Sequence, residues 1–165
     1  MSPTYLAQWV IPAAYSLLPR AMASPRATAL LVAIALQESG LRARRQYGSG
    51  PARGLLQFER GTPATRGGVT GVLLHDRVGP IARAVCRALI VDPEPAAVYV
   101  AIEHQDVLAA AFGRLLLWTL PDALPGPPDV SDAWGQYLRA WRPGKPHVGT
   151  WAGHYATAWA EVEPT

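Results

Sequence analysis

Ala27-Thr28-Ala29-Leu30-Leu31-Val32-Ala33-Ile34-Ala35-Leu36-Gln37-Glu38-Ser39-Gly40 is the stretch that decides the fold. Leu30, Leu31, Val32, Ile34 and Leu36 point to every side of a 3.6-residue repeat, so no single face can hold them. Such a segment reads as a helix buried through the middle of a domain. The run from Ala27 to Leu36 is ten residues long, whereas a bilayer span takes about 18 or more. It is a core helix, and no stable membrane insertion is expected. Gly40 follows the pattern as its C-terminal cap, because glycine accepts positive φ freely. Glu38 therefore falls in the last turn of a buried helix. Desolvation disfavours its carboxylate and the negative end of the helix repels it, and both raise its pKa. A carboxyl that keeps its proton near neutral pH is what a general acid requires. The competing reading is a structural Glu38 paired with Arg42, Arg44 or Arg53.

Outward from this helix the chain stays helical. Val107, Leu108, Ala111, Phe112, Leu115 and Leu116 repeat at helical spacing, and sustained strand alternation is absent. Trp134, Tyr137, Leu138 and Trp141 share one face of a further helix, capped by Ser131 or Asp132 and ended by Arg142-Pro143-Gly144. Thr150 to Glu161 reads as another, with Trp151, Tyr155 and Trp159 on one side. Tyr5 to Leu18 is helical in composition, with a break or kink due at Pro12. Turns fall at Gly48-Ser49-Gly50-Pro51, in the Gly61 to Gly71 loop and at Asp92-Pro93-Glu94-Pro95. Pro121 to Pro128 forms a stiff connector. No repeat, low-complexity segment or composition shift divides the chain. The expectation is one all-α domain, residues 1–165, of about seven or eight helices around a buried central one.

Composition supports this and excludes several functions. The chain has 165 residues, half of them apolar and 16% charged, which rules out disorder and provides for a well-buried core. Gly and Pro are 31 of the 165, so elements are short and firmly punctuated. The single Cys86 forbids an internal disulfide and reads as a small buried hydrophobe. His75, His104, His147 and His154 are scattered without metal-ligand spacing, so neither metal nor cofactor is expected. The net charge is +3, carried by fourteen Arg and Lys145 alone. No basic run exceeds Arg44-Arg45 and no helix gathers the arginines on one face, which argues against nucleic acid. No basic start leads into an apolar stretch with a small-residue cleavage site, so no secretory signal is expected.

Sixteen residues after Glu38 begins Gly54-Leu55-Leu56-Gln57, preceded by Gly50-Pro51-Ala52-Arg53. Glu38-Ser39-Gly40-Leu41 at a helix end, followed across a short loop by this box, resembles the soluble lytic transglycosylases and goose-type lysozymes of the lysozyme-like superfamily. The family box has Met where Leu56 stands, and the loop here is one residue longer. The linked motifs span about 35 residues. Trp141-Arg142-Pro143-Gly144-Lys145-Pro146-His147 is similar to a stretch in small phage and prophage proteins of the same superfamily.

The resemblance implies a lysozyme-like domain that cleaves the β-1,4 bond between N-acetylmuramic acid and N-acetylglucosamine in peptidoglycan, with Glu38 as acid and then base. It implies that Ser39 supports the site, that Gly54 and Leu55 lie at the glycan groove, and that Gln57 faces the glycan. A side-chain amide beside a cleft bonds sugar hydroxyls or an N-acetyl group, which agrees. These enzymes carry an Ala-Tyr-Asn-x-Gly box in a later helix. The nearest stretch here, Val100 to Asp106, lacks it, and Gln105 or His104 is left to hold the N-acetyl group. Of the aromatics from Trp134 to Trp159, most read as core, with Tyr155 as a groove residue. The partner implied is the bacterial cell wall, with a phage assembly partner besides. The location implied is the cytoplasm before release to the wall, or a phage virion.

Two mechanisms and one inactive alternative follow. An inverting hydrolase needs a second carboxylate to activate water, but Glu59 and Asp76 occupy no motif, and Glu59 is expected to face away on the same helical turn as Gln57. A lytic transglycosylase needs Glu38 alone, and that reading is preferred over a hydrolytic muramidase. The remaining reading is a lysozyme-like protein that binds wall, or builds a phage particle, without turnover.

Overall fold

The apolar segment is the helix around which the chain closes. In the computed structural model, which describes residues 1–162, it forms α2, Pro25–Ser39. Ser24 starts it, its Oγ accepting from Ala27 N–H, and Gly40 ends it in the left-handed region at φ 56°. Every residue from Ala29 to Ala35 is at most 1% exposed, which the all-round apolar pattern requires.

Among the described residues seven further helices pack into the same core. The first, α1, consists of three consecutive pieces, Pro3–Tyr5, Leu6–Val10 and Ile11–Tyr15. Pro12 does not break it. A π-helical turn precedes the proline, with Ile11 N–H donating back to Leu6 O. Widening the helix there relieves the clash that a proline ring makes with the carbonyl four residues earlier. Then come α3 (Gly68–Leu74), α4 (Gly79–Ala88), α5 (Pro95–Ala101), α6 (Asp106–Trp118), α7 (Val130–Trp141) and α8 (Val148–Ala160). The architecture is all-α. Among the described residues only isolated bridges at Arg53, to Arg45 and to Phe58, depart from helix and loop.

One apolar core runs through all eight helices. Helix α8 is the principal neighbour of α2 and carries Trp151 and Tyr155 into the core. Helix α7 starts at Val130 with Asp129 as cap residue, two or three residues before the expected Ser131 or Asp132. The Asp129 carboxylate instead accepts from Gly126 N–H, closing the turn that leads into the helix. Its other end matches the sequence expectation, with Arg142 in the left-handed region at φ 51°. The proline-rich connector is tied down by Arg26, Gln136 and Tyr155, which donate to Leu124 O, Ala123 O and Gly126 O. Cys86 is fully buried, and burial pushes its thiol up to about 11, so it is inert at neutral pH. No helix among the described residues is long and apolar enough to cross a membrane.

Candidate active site

The end of α2 and the box that follows it are tied together by Ser39. Its Oγ lies 2.7 Å from Leu55 O and 3.0 Å from Ala35 O, and it accepts from Leu41 N–H at 3.1 Å. Buried and fully engaged, Ser39 supports the site without lining it.

The box itself is a turn, not a helix. Arg53 and Phe58 exchange backbone hydrogen bonds of 2.9 and 2.8 Å, and Gly54 and Gln57 both have positive φ, 74° and 49°. Gly54 is required, though not for approach to a sugar as the resemblance implied. A Cβ there would meet Ile102 O at 2.3 Å, so the close approach is to the protein's own backbone. Leu55 and Leu56 are buried in the core as plugs beneath the turn. Leu55 is therefore a packing residue and not part of the groove. Gln57 does line the cleft, but its Nε2 donates to Gly54 O at 2.8 Å and braces the turn.

Above the turn lies a cleft of about 790 Å³. Its lining includes Glu38, Gln57 and Glu59, residues of the glycine-rich segment from Gly61 to Gly68, and Tyr137, Trp141 and the chain up to His147. Helix α7 clamps the two motifs from above through residues one turn apart. Tyr137 Oη donates to Glu38 Oε1 at 2.7 Å, and Trp141 Nε1 donates to Leu56 O at 2.8 Å. Tyr137 also stacks on Trp151, with ring centroids 5.2 Å apart and planes at 17°.

The electrostatics set Glu38 apart. Burial raises its pKa to about 7, with the hydrogen bond from Tyr137 working downward and the charge of Glu59 upward. Burial and the adjacent Glu38 in turn push the Tyr137 phenol up, so it stays a donor. None of the arginines offered as partners pairs with Glu38. Arg44 binds Asp106, while Arg45 and Arg53 bind Glu103 at 2.7 and 3.3 Å. The hydrogen bond from Arg45 holds the Glu103 carboxyl below its ordinary value. These pairs fasten the loop after α2 to the α5–α6 junction.

Three residues that the sequence points to lie elsewhere. Gln105 is the N-terminal cap residue of α6 and lies outside the cleft lining, as does His104, which sits 3.2 Å from Glu103. Tyr155 is 1% exposed, with its hydroxyl on Gly126 O, so it is core. Two residues not selected take their places. Tyr137 stood in the same aromatic pattern as Tyr155, and only helix packing separates their roles. Glu59 was expected to face away, but the positive φ at Gln57 turns the chain so that Glu59 lines the cleft. Among the described residues no group of three or more His, Cys, Asp or Glu side chains is placed to hold a metal ion. Comparison of the chain with family models, with curated proteins and with solved structures gives no match.

Proposed function

We propose that this protein cleaves the β-1,4 bond between N-acetylmuramic acid and N-acetylglucosamine of peptidoglycan as a lytic transglycosylase, with Glu38 as its one catalytic carboxyl. The observation that carries the reading is a carboxyl in the lining of a cleft, its pKa raised by burial to about 7, hydrogen-bonded by a tyrosine and in no ion pair among the described residues. Such a group is protonated often enough to act as an acid and ionised readily enough to act as a base. Glu38 donates its proton to the glycosidic oxygen as the bond to muramic C1 breaks. The Glu38 carboxylate then takes the proton of the muramic C6 hydroxyl while O6 bonds to C1. The products are an N-acetylglucosamine end and a 1,6-anhydromuramic end, and no water is consumed. On this reading the protein acts at the bacterial wall, after release from the cytoplasm or from a phage particle.

Glu59 favours a second reading. It lines the same cleft and its charge bears on Glu38, so a second carboxylate, which an inverting hydrolase needs to activate water, is present in the lining. Mass spectrometry of products from purified peptidoglycan separates the two. Anhydro ends support the lyase and reducing ends the hydrolase, while no soluble muropeptide from several walls over a range of pH leaves a protein that binds without turnover.

A further inference from the structure

At the opposite end of α2, roughly 20 Å from Glu38 by the rise of the helix, lies a second cavity of about 500 Å³. Three guanidiniums from three separate elements line it: Arg26 at the start of α2, Arg77 from the α3–α4 turn and Arg114 from α6. Each is bound to a backbone carbonyl: Arg26 to Leu124 O, Arg77 to Trp118 O and Arg114 to Met22 O, at 3.0, 3.0 and 2.7 Å. None has a carboxylate partner among the described residues. Asp122 also lines the cavity, but its carboxylate is held by Arg139 at 2.7 Å.

Arg114 is the telling residue. It is 2% exposed, its guanidinium carbon lies over the Trp118 ring 4.7 Å from the centroid, and its Nη1 is buried with no hydrogen-bond partner. A buried guanidinium without a counter-charge is costly, and so is each of its unsatisfied donors. The positive end of a 15-residue helix opens on the same space and adds to the field. Three guanidiniums, one of them with a buried unpartnered donor, around a half-open cavity together describe a site for an anion.

We propose that this cavity binds an organic phosphate. Guanidiniums arriving from three elements suit a group that offers oxygens in several directions, which a phosphate does and a planar carboxylate does not. The volume leaves room beside it for a small organic body against Trp118 and Leu120. The site is separate from the cleft, so it stands whether or not the glycan reading holds.

Calorimetry on the full chain at fixed ionic strength, with glycerol 3-phosphate, inorganic phosphate and acetate as probes, tests it. Saturable binding of glycerol 3-phosphate in the millimolar range or tighter is expected, with acetate about tenfold weaker or worse. Arg26→Gln and Arg77→Gln lie on the exposed rim and are expected to fold, each weakening the phosphate by about tenfold, the loss of one charge-assisted hydrogen bond. Glu38→Gln is expected to leave binding unchanged. No saturable binding of either phosphate, acetate binding as tightly, or undiminished affinity in both arginine variants would overturn the proposal.

Discussion

Tyr137 Oη reaches across 99 residues of chain to hold Glu38 Oε1 at 2.7 Å. The bond ties the aromatic face of α7 to the last turn of the buried helix. It also sets a balance, because burial favours the protonated carboxyl while a donor hydroxyl favours the carboxylate.

Removing the donor moves that balance in one direction. Tyr137→Phe is expected to raise the Glu38 pKa above about 7 and to carry the alkaline limb of any activity profile upward with it. The stability cost is expected near 1 kcal/mol, that of one hydrogen bond. Carbon NMR titration of the Glu38 carboxyl reads the shift directly, and a downward movement would contradict the assigned role.

Glu38→Gln is expected to stabilise the fold in a pH-dependent way. The folded pKa of about 7 lies above the ordinary 4.5, so the stability that goes with protonated Glu38 is fully present below pH 4.5. It is lost as pH rises through 7. Glutamine does not ionise and suffers no such loss. The gain is expected near zero at pH 4 and at most about 3 kcal/mol at pH 8, at about 1.4 kcal/mol per pKa unit. Urea unfolding at the two pH values checks it, and an equal effect at both would show that ionisation is not involved.

Glu59→Gln separates the mechanisms. Its charge raises the Glu38 pKa, so the variant is expected to shift the alkaline limb downward while keeping lytic rate within a few-fold and anhydro products unchanged. A fall of about 10²-fold or more, the usual scale of acid–base catalysis, would make Glu59 the water-activating base.

Two glycines with similar φ are expected to behave differently. Gly40→Ala meets nothing within 4 Å and is expected to cost about 1 kcal/mol for positive φ alone. Gly54→Ala adds a collision with Ile102 O and is expected to cost at least about 2 kcal/mol. Thermal unfolding of both variants gives the comparison, and equal costs would remove the close approach from the explanation.

The central helix, its glycine cap and the raised Glu38 pKa are legible because each follows from local sequence: an apolar pattern on all faces, a glycine, a carboxyl two residues before the cap. The end of α7 at Arg142 was legible for the same reason. The choice between Tyr137 and Tyr155 was not, since both lie on aromatic helical faces and only the packing of α7 and α8 on α2 decides which hydroxyl meets Glu38. Nothing in the sequence around Gln105 fixes its place relative to the cleft. The place of Glu59 in the cleft is not legible because Gln57 is not a residue type that signals positive φ. The turn there is imposed by the Arg53–Phe58 pairing and by the Ile102 carbonyl behind Gly54.

The most direct test is the release of soluble muropeptides from purified peptidoglycan near pH 6, wild type against Glu38→Gln, with melting temperature measured on the same preparations. If Glu38 delivers the proton, the wild type releases fragments with 1,6-anhydromuramic ends, and the variant is slower by at least about 10²-fold while melting no earlier. A wild type that releases nothing, or a folded variant that keeps its rate, would contradict it.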